Sequence, residues 1–252
     1  VASSCKPKTS STSVEPESEN TVKTIKAAEF NADSVWYFIN EQVKFGPRVP
    51  NSKAHAKCAV WLENTLKKYA QQVVVQPFTA KAYDGTTLNC KNVIASFNPK
   101  STTRVLLCAH WDSRPYADND PDSAFHRTPI DGANDGGSGV GVLLEIARQL
   151  RISPPAVGVD IVLFDGEDYG APQDADFIGS DDWALGSQYW SRYPHVPAYG
   201  ARYGILLDMV GAENAVFTME GTSMYYAPDV MQKEWSTAAA IGHSSYFSTE
   251  RT

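Results

Sequence analysis

No two of the four cysteines stand in a Cys-x-x-Cys pair, which argues against a thiolate zinc site. No apolar run approaches the ~20 residues that cross a bilayer. Cations are in deficit: 22 Lys and Arg face 29 Asp and Glu, giving a net charge of -7 and a pI near 5.2. That balance argues against a nucleic-acid or anionic-membrane partner, either of which wants a basic face. No internal repeat or heptad is visible.

What is present is core-forming sequence. The 252 residues are 42% hydrophobic and 11% aromatic, enough for one large α/β domain or two small ones. Cys58 lies in a helical pattern and Cys108 in an apolar strand, and both read as small core residues. Cys5 differs, because it follows "VASS" and precedes a Lys/Ser/Thr/Glu-rich stretch running to about Asn20. That resembles the end of a bacterial lipoprotein signal, with Cys5 as the lipid-anchor site and the periplasm or outer membrane as the location. An ordinary disordered N-terminus accounts for the same residues. Residues 1–20 are expected to be a tether, and residues 21–252 a single α/β domain acting as a monomer.

The rest alternates between two periods. A helix is expected from about Asp33, with Val35, Phe38, Ile39 and Val43 on one face. "FGPRVPNS" (Phe45 to Ser52) reads as a loop ending at Ser52, the N-cap of a helix carrying Cys58, Trp61, Leu62 and Leu66. Strands are expected at "QQVVVQPF", "KNVIASF", "RVLLCAH", "VDIVLFD" and "YGILLDMV". Helices are expected around Val140 to Leu150, near "WALGSQYW", and from Asp229 to Ile241. Continuous apolar strands between amphipathic helices imply a sheet covered on both faces, with a largely parallel core.

In such sheets ligands bind beyond the carboxyl ends of the strands. Here those ends carry His110 and Asp112, then Glu167 and Asp168, then Asp208, while "DGANDGGSG" offers Asp135 at a helix start. Taken singly, each has an ordinary reading: an Asp before a helix is usually an N-cap, and an acidic pair after a strand is usually a solvated loop. Gathered at one rim, the carboxylates would repel and raise one another's pKa, and a divalent cation removes that cost. Zinc accepts imidazole nitrogen and carboxylate oxygen, so Asp135, Asp168, Asp208 and His110 are candidate ligands. Asp112 is a candidate for orienting the His110 imidazole. Of the adjacent pair, Asp168 is assigned to the metal and Glu167 to proton transfer.

Four segments resemble the zinc-aminopeptidase-like α/β fold of the peptidase M28 superfamily, which holds aminopeptidases and animal-type glutaminyl cyclases. They are "AHWDS", "DGANDGGSGVGVLLEIAR", "LFDGED" and "LLDMVGA", with "FGPRVPNS" as an N-terminal signature. The resemblance covers about Ala32 to Thr252. It implies a three-layer α/β/α fold with a mixed, centrally parallel sheet of the zinc-aminopeptidase/phosphorylase-hydrolase kind. Within the group, "FDGED", "APQD", "LGSQYW" and "LLDMVGA" look more like the cyclases. That resemblance implies one Zn2+ held by Asp135 and Asp168, with Glu167 as proton shuttle and Asp208 as a substrate contact. The partners would be peptide or protein N-termini bearing Gln or Glu, converted to pyroglutamate with loss of ammonia or water. The aminopeptidase alternative uses two zinc ions, with Asp135 bridging and His110 and Asp208 completing the second site.

Two departures stand out. The resemblance implies a third ligand, a histidine in the C-terminal quarter, and none of His55, His110, His126, His195 and His243 matches it. His243 reads as an ordinary helix-end histidine. The expectation is a fragment, with the third ligand beyond Thr252. A pocket tryptophan of the cyclases is matched only loosely, by Trp183. The Pro115 to Ile130 loop is read either as part of the mouth or as a surface excursion.

Overall fold

A computed structural model describes residues 29–175 and 182–252. The tether expected over residues 1–20, and Cys5 with it, lie outside the described residues. Helix α1 (Ala32–Val43) starts where the Asn31 side chain accepts the Ser34 N–H. Helix α2 (Lys53–Lys67) starts at Ser52, whose hydroxyl accepts the His55 N–H as the sequence predicts. Cys58, Leu62 and Leu66 on its inner face are fully buried.

Strands β1 (Gln72–Lys81) and β2 (Thr87–Phe97) form an antiparallel hairpin. Strands β3 (Arg104–His110) and β4 (Gly158–Phe164) pair in parallel, with His110 opposite Phe164. Strand β5 (Gly204–Leu206) joins the far side of β3 in parallel, and the sheet order is β1-β2-β4-β3-β5. The central members β4, β3 and β5 run parallel, and β1 and β2 make the sheet mixed. This is the expected sheet. β4 is buried along its whole length, which explains its unbroken apolar run.

Helices α1, α2 and α3 (Gly137–Ile152) cover one face, burying Phe38, Leu62, Leu66, Leu143 and Leu144 against Val93, Phe97, Ile161 and Leu163. Helix α4 (Leu185–Arg192) covers the other, where Leu185 and Tyr189 meet Phe78 and Leu88, and Trp190 meets Phe164. Three layers result. Cys58 and Cys108 are buried and unbridged, and burial pushes both thiols up to about 12. The C-terminal stretch adds β6 (Phe217–Met219), α5 (Gly221–Tyr226), α6 (Pro228–Ala240) and β7 (Phe247–Arg251), with β6 and β7 paired. His243 follows α6 and is exposed, as expected. Among the described residues no helix is long and apolar enough to cross a membrane.

One expected strand is shorter than its sequence suggests. "YGILLDMV" pairs only over Gly204–Leu206, at the sheet edge. An edge strand has one partner, so nothing on its open side extends the ladder. Asp208 therefore lies past the strand, and its side chain is 43% exposed rather than buried within β5.

Candidate metal centre

The parallel register brings the chemistry to one rim. His110 ends β3 opposite the last residue of β4, so Glu167 and Asp168 follow at the same level. Cys108 pairs with Leu206, and carrying that register two residues on sets Asp208 beside His110. Asp135 arrives from the start of α3. It does not cap that helix: the N-cap is Gly136, at φ +77, and the cap makes no side-chain bond. A Cβ on Gly136 would stand 2.7 Å from the Asp112 carbonyl oxygen, so only glycine lets the turn sit against β3's end and leaves the Asp135 carboxylate free.

Asp135 Oδ1 lies 2.8 Å from His110 Nε2, and Asp208 Oδ1 lies 3.5 Å from the same nitrogen. One ligand atom from each of the three residues falls within 4.8 Å of the others. His110 is buried, yet neither of its ring nitrogens makes a hydrogen bond. Burial alone would lower its pKa, but Asp112, Asp135 and Asp208 around it hold the imidazole well above its ordinary value.

Asp168 is buried on the facing side. Its Oδ1 is 3.4 Å from Arg114 Nη1, while Oδ2 has no partner. Burial, then the charge of Asp135, then that of Asp112, push its carboxyl up to about 8. Asp168 is not one of the three residues whose ligand atoms fall within 4.8 Å of one another. Glu167 stands 4.0 Å from His110 Nδ1, and burial pushes its carboxyl up to about 7. His110, Asp135 and Asp208 are a donor set that a zinc ion would satisfy, and Asp168 adds a buried carboxylate oxygen without a partner.

Asp112 faces the imidazole and holds the acidic loop as well. Its Oδ1 is 3.5 Å from His110 Nδ1, an ion-pair contact, and its two oxygens accept the backbone N–H groups of Glu167 (3.0 Å) and Asp168 (3.1 Å). In Asp112→Asn an amide N–H would face one of those two donors. We expect a loss of about 1–3 kcal/mol in urea melts and zinc binding ~10–100-fold weaker by dye competition.

Three further residues escaped the sequence reading. Arg48, fully buried in the "FGPRVPNS" loop, donates to the carbonyls of Trp111 (3.0 Å), Asp131 (2.6 Å) and Gly132 (2.7 Å), tying the end of β3 to the Asp135 turn. Arg114 clasps Asp118 through two bonds of 2.9 and 2.5 Å and also donates to the Asp168 carbonyl. His55 is taken up below. Trp183 lies over the Arg114 guanidinium at 4.7 Å, beside Gly170. At its start, the loop from Pro115 reaches this region through Tyr116, 5.6 Å from Arg114. The Arg48 contacts and the Arg114–Asp168 contact join residues more than 50 positions apart, so local periodicity carries no trace of them.

Comparison with known proteins gives the family. The family profile described as peptidase family M28 matches residues 92–251. The chain is similar to the Tannerella forsythia glutaminyl cyclase structure, 52% identical, covering 89% of this chain and 77% of that one with a TM-score of 0.87. It is equally similar to a Zn-dependent exopeptidase from Parabacteroides distasonis, 50% identical over 90% and 78% of the two chains, TM-score 0.89. A mouse glutaminyl-peptide cyclotransferase-like protein is 28% identical over 68% of this chain and 45% of its own length. The chain spans less than half the length of the curated relatives it matches.

Proposed function

The chain belongs to peptidase family M28, and we propose that within it this protein is a zinc-dependent glutaminyl-peptide cyclotransferase. It would convert N-terminal glutamine, or glutamate, to pyroglutamate with release of ammonia, or water. The observation that carries this reading is Glu167. Its carboxyl sits at the metal rim, 4.0 Å from His110 Nδ1, burial pushes it up to about 7, and among the described residues none donates a hydrogen bond to it. A group so placed and so tuned suits proton transfer near neutral pH better than it suits metal binding. The half-identical glutaminyl cyclases support the same choice.

Asp135 and Asp168 would hold one zinc, which polarises the substrate's side-chain carbonyl when bound. Everything else falls to the protein. Asp208, 43% exposed and ionised because His110 holds its pKa down, would grip the substrate's α-ammonium. Glu167 takes a proton from that nitrogen. The freed amine forms a bond to the side-chain carbonyl carbon and gives up a second proton, the bond from that carbon to its amide nitrogen breaks, and Glu167 carries both protons in turn to that nitrogen, so the lactam keeps one N–H and the nitrogen leaves as ammonium. Attack within one residue needs no water nucleophile and supplies part of the rate.

A second reading has its own observation. His110, Asp135 and Asp208 already converge as a three-donor group, which is what a second zinc of an aminopeptidase would use. The metal content of the full-length protein, one zinc or two, separates the two readings. A Gln-initiated and a Leu-initiated peptide give the complementary test. We expect loss of ammonia from the first and no change in the second by mass spectrometry. Free leucine would establish the aminopeptidase. Cys5 keeps its reading as a lipid-anchor site, with the cell envelope as the proposed location and a monomer as the proposed working form.

A further inference from the structure

His55 and Asp165 form a buried pair that neither the metal nor the proton shuttle uses. His55 Nε2 lies 2.8 and 2.9 Å from the two Asp165 oxygens, and both side chains are shut off from solvent. The His55 ring stacks on Trp111, centroids 4.5 Å apart and planes within 16°. Asp165 Oδ2 also accepts the Lys91 N–H at 2.5 Å, and the Asp165 N–H goes to Asn92 Oδ1. The β2–β4 ladder ends at Val93 and Leu163. Past that point a side chain replaces the backbone partner, so the chain leaves the sheet at Asp165, turns at Gly166 (φ +64), and presents Glu167 and Asp168.

We propose that His55, acting through Asp165, is a positioning residue that sets the direction of Glu167 and Asp168. The acidic loop is held from two sides. Asp112 grips the N–H groups of Glu167 and Asp168, and the His55–Asp165 pair fixes the residue from which the loop departs. Removing one grip lets the segment pivot about the other. An ordinary buried pair would affect stability alone. This one is separated from the proposed shuttle by a single glycine, so its loss reaches catalysis.

The inference rests on the proposed activity, and the test separates the two. Full-length zinc-loaded protein is compared with His55→Gln, which keeps an N–H donor for Asp165, and His55→Leu, which keeps none. In His55→Leu we expect kcat per zinc-bound molecule ~10–100-fold lower, with KM changed less than about threefold, and substantial rescue in His55→Gln. Adding Asp165→Asn to His55→Leu should cost little more, because the pair acts as a unit. If His55→Leu does not fold, Asp165→Asn alone takes its place with the same readouts. Unchanged kcat at full zinc occupancy, with only a lower Tm, overturns the proposal. A wild type that binds zinc but releases no ammonia overturns the cyclotransferase reading instead. Positioning is then judged by zinc affinity, expected ~10–100-fold weaker in His55→Leu; unchanged affinity overturns it.

Discussion

Glu167→Gln is expected to give a folded, zinc-loaded protein whose kcat for pyroglutamate formation is ~10²–10⁴-fold below wild type. Two features of the site fix the direction of the change. First, among the described residues no donor is bonded to the Glu167 carboxyl, so its amide isostere strands none of them and stability should hold. Second, the anchoring of the loop runs through the Glu167 N–H and carbonyl, to Asp112 and the Ala184 N–H, and both survive the change. What disappears is a group able to take and return a proton. The loss should fall on kcat and leave KM nearly untouched, because Asp208, not Glu167, is assigned the ammonium. Turnover within tenfold of wild type at equal zinc content would remove Glu167 from its role.

Much of this site was legible before any coordinates. β3 ends where "RVLLCAH" ends, and Glu167 and Asp168 follow β4 as the apolar run predicts. Local period reports such things because strand burial is a local pattern. The same signal overreached at Asp208. An apolar run marks what a strand is able to bury, and a sheet edge left "YGILLDMV" three paired residues. Asp135 reads as an N-cap by type, but Gly136 takes that place because no Cβ fits against Asp112. Asp112 reads as an imidazole partner from its two-residue spacing and does face His110, while its two backbone N–H partners, 55 and 56 residues away, left no sign in the sequence. His55 did leave a trace. It stands three residues before Cys58 and seven before Leu62 on the buried face of α2, and an imidazole on a core face needs a buried partner. Which acid answered that need depended on β4's position in the sheet.

Removing the metal should alter the protein's response to pH, and Asp135→Asn should mimic the removal. The substitution deletes one anionic ligand beside His110. Loss of zinc polarisation, worth several kcal/mol, corresponds to ~10³-fold in kcat at about 1.4 kcal/mol per decade. The chelated wild type reports the same centre without any mutation. Folded Asp168 titrates at about 8 and Glu167 at about 7, both raised chiefly by burial, whereas an unfolded chain releases those protons near pH 4. Across pH 5 to 8 the folded state therefore binds more protons than the unfolded state, and stability falls as pH rises. His110 acts in the same sense. Its raised pKa gives stability that is complete below its unfolded value and is lost as pH climbs through the folded one. Asp112 and Asp208 are lowered, so their contributions are already complete at pH 5 and stay level. The chelated protein should show a Tm that declines from pH 5 to 8. Zinc displaces those same protons and competes best where they are scarce, so the zinc-loaded Tm should pull away from the chelated one over that interval. Scanning calorimetry with and without chelator measures the gap. A gap that stays constant across pH 5 to 8 would mean that the ion binds without displacing protons from Asp168 or Glu167, and the acidic rim would then not be its seat.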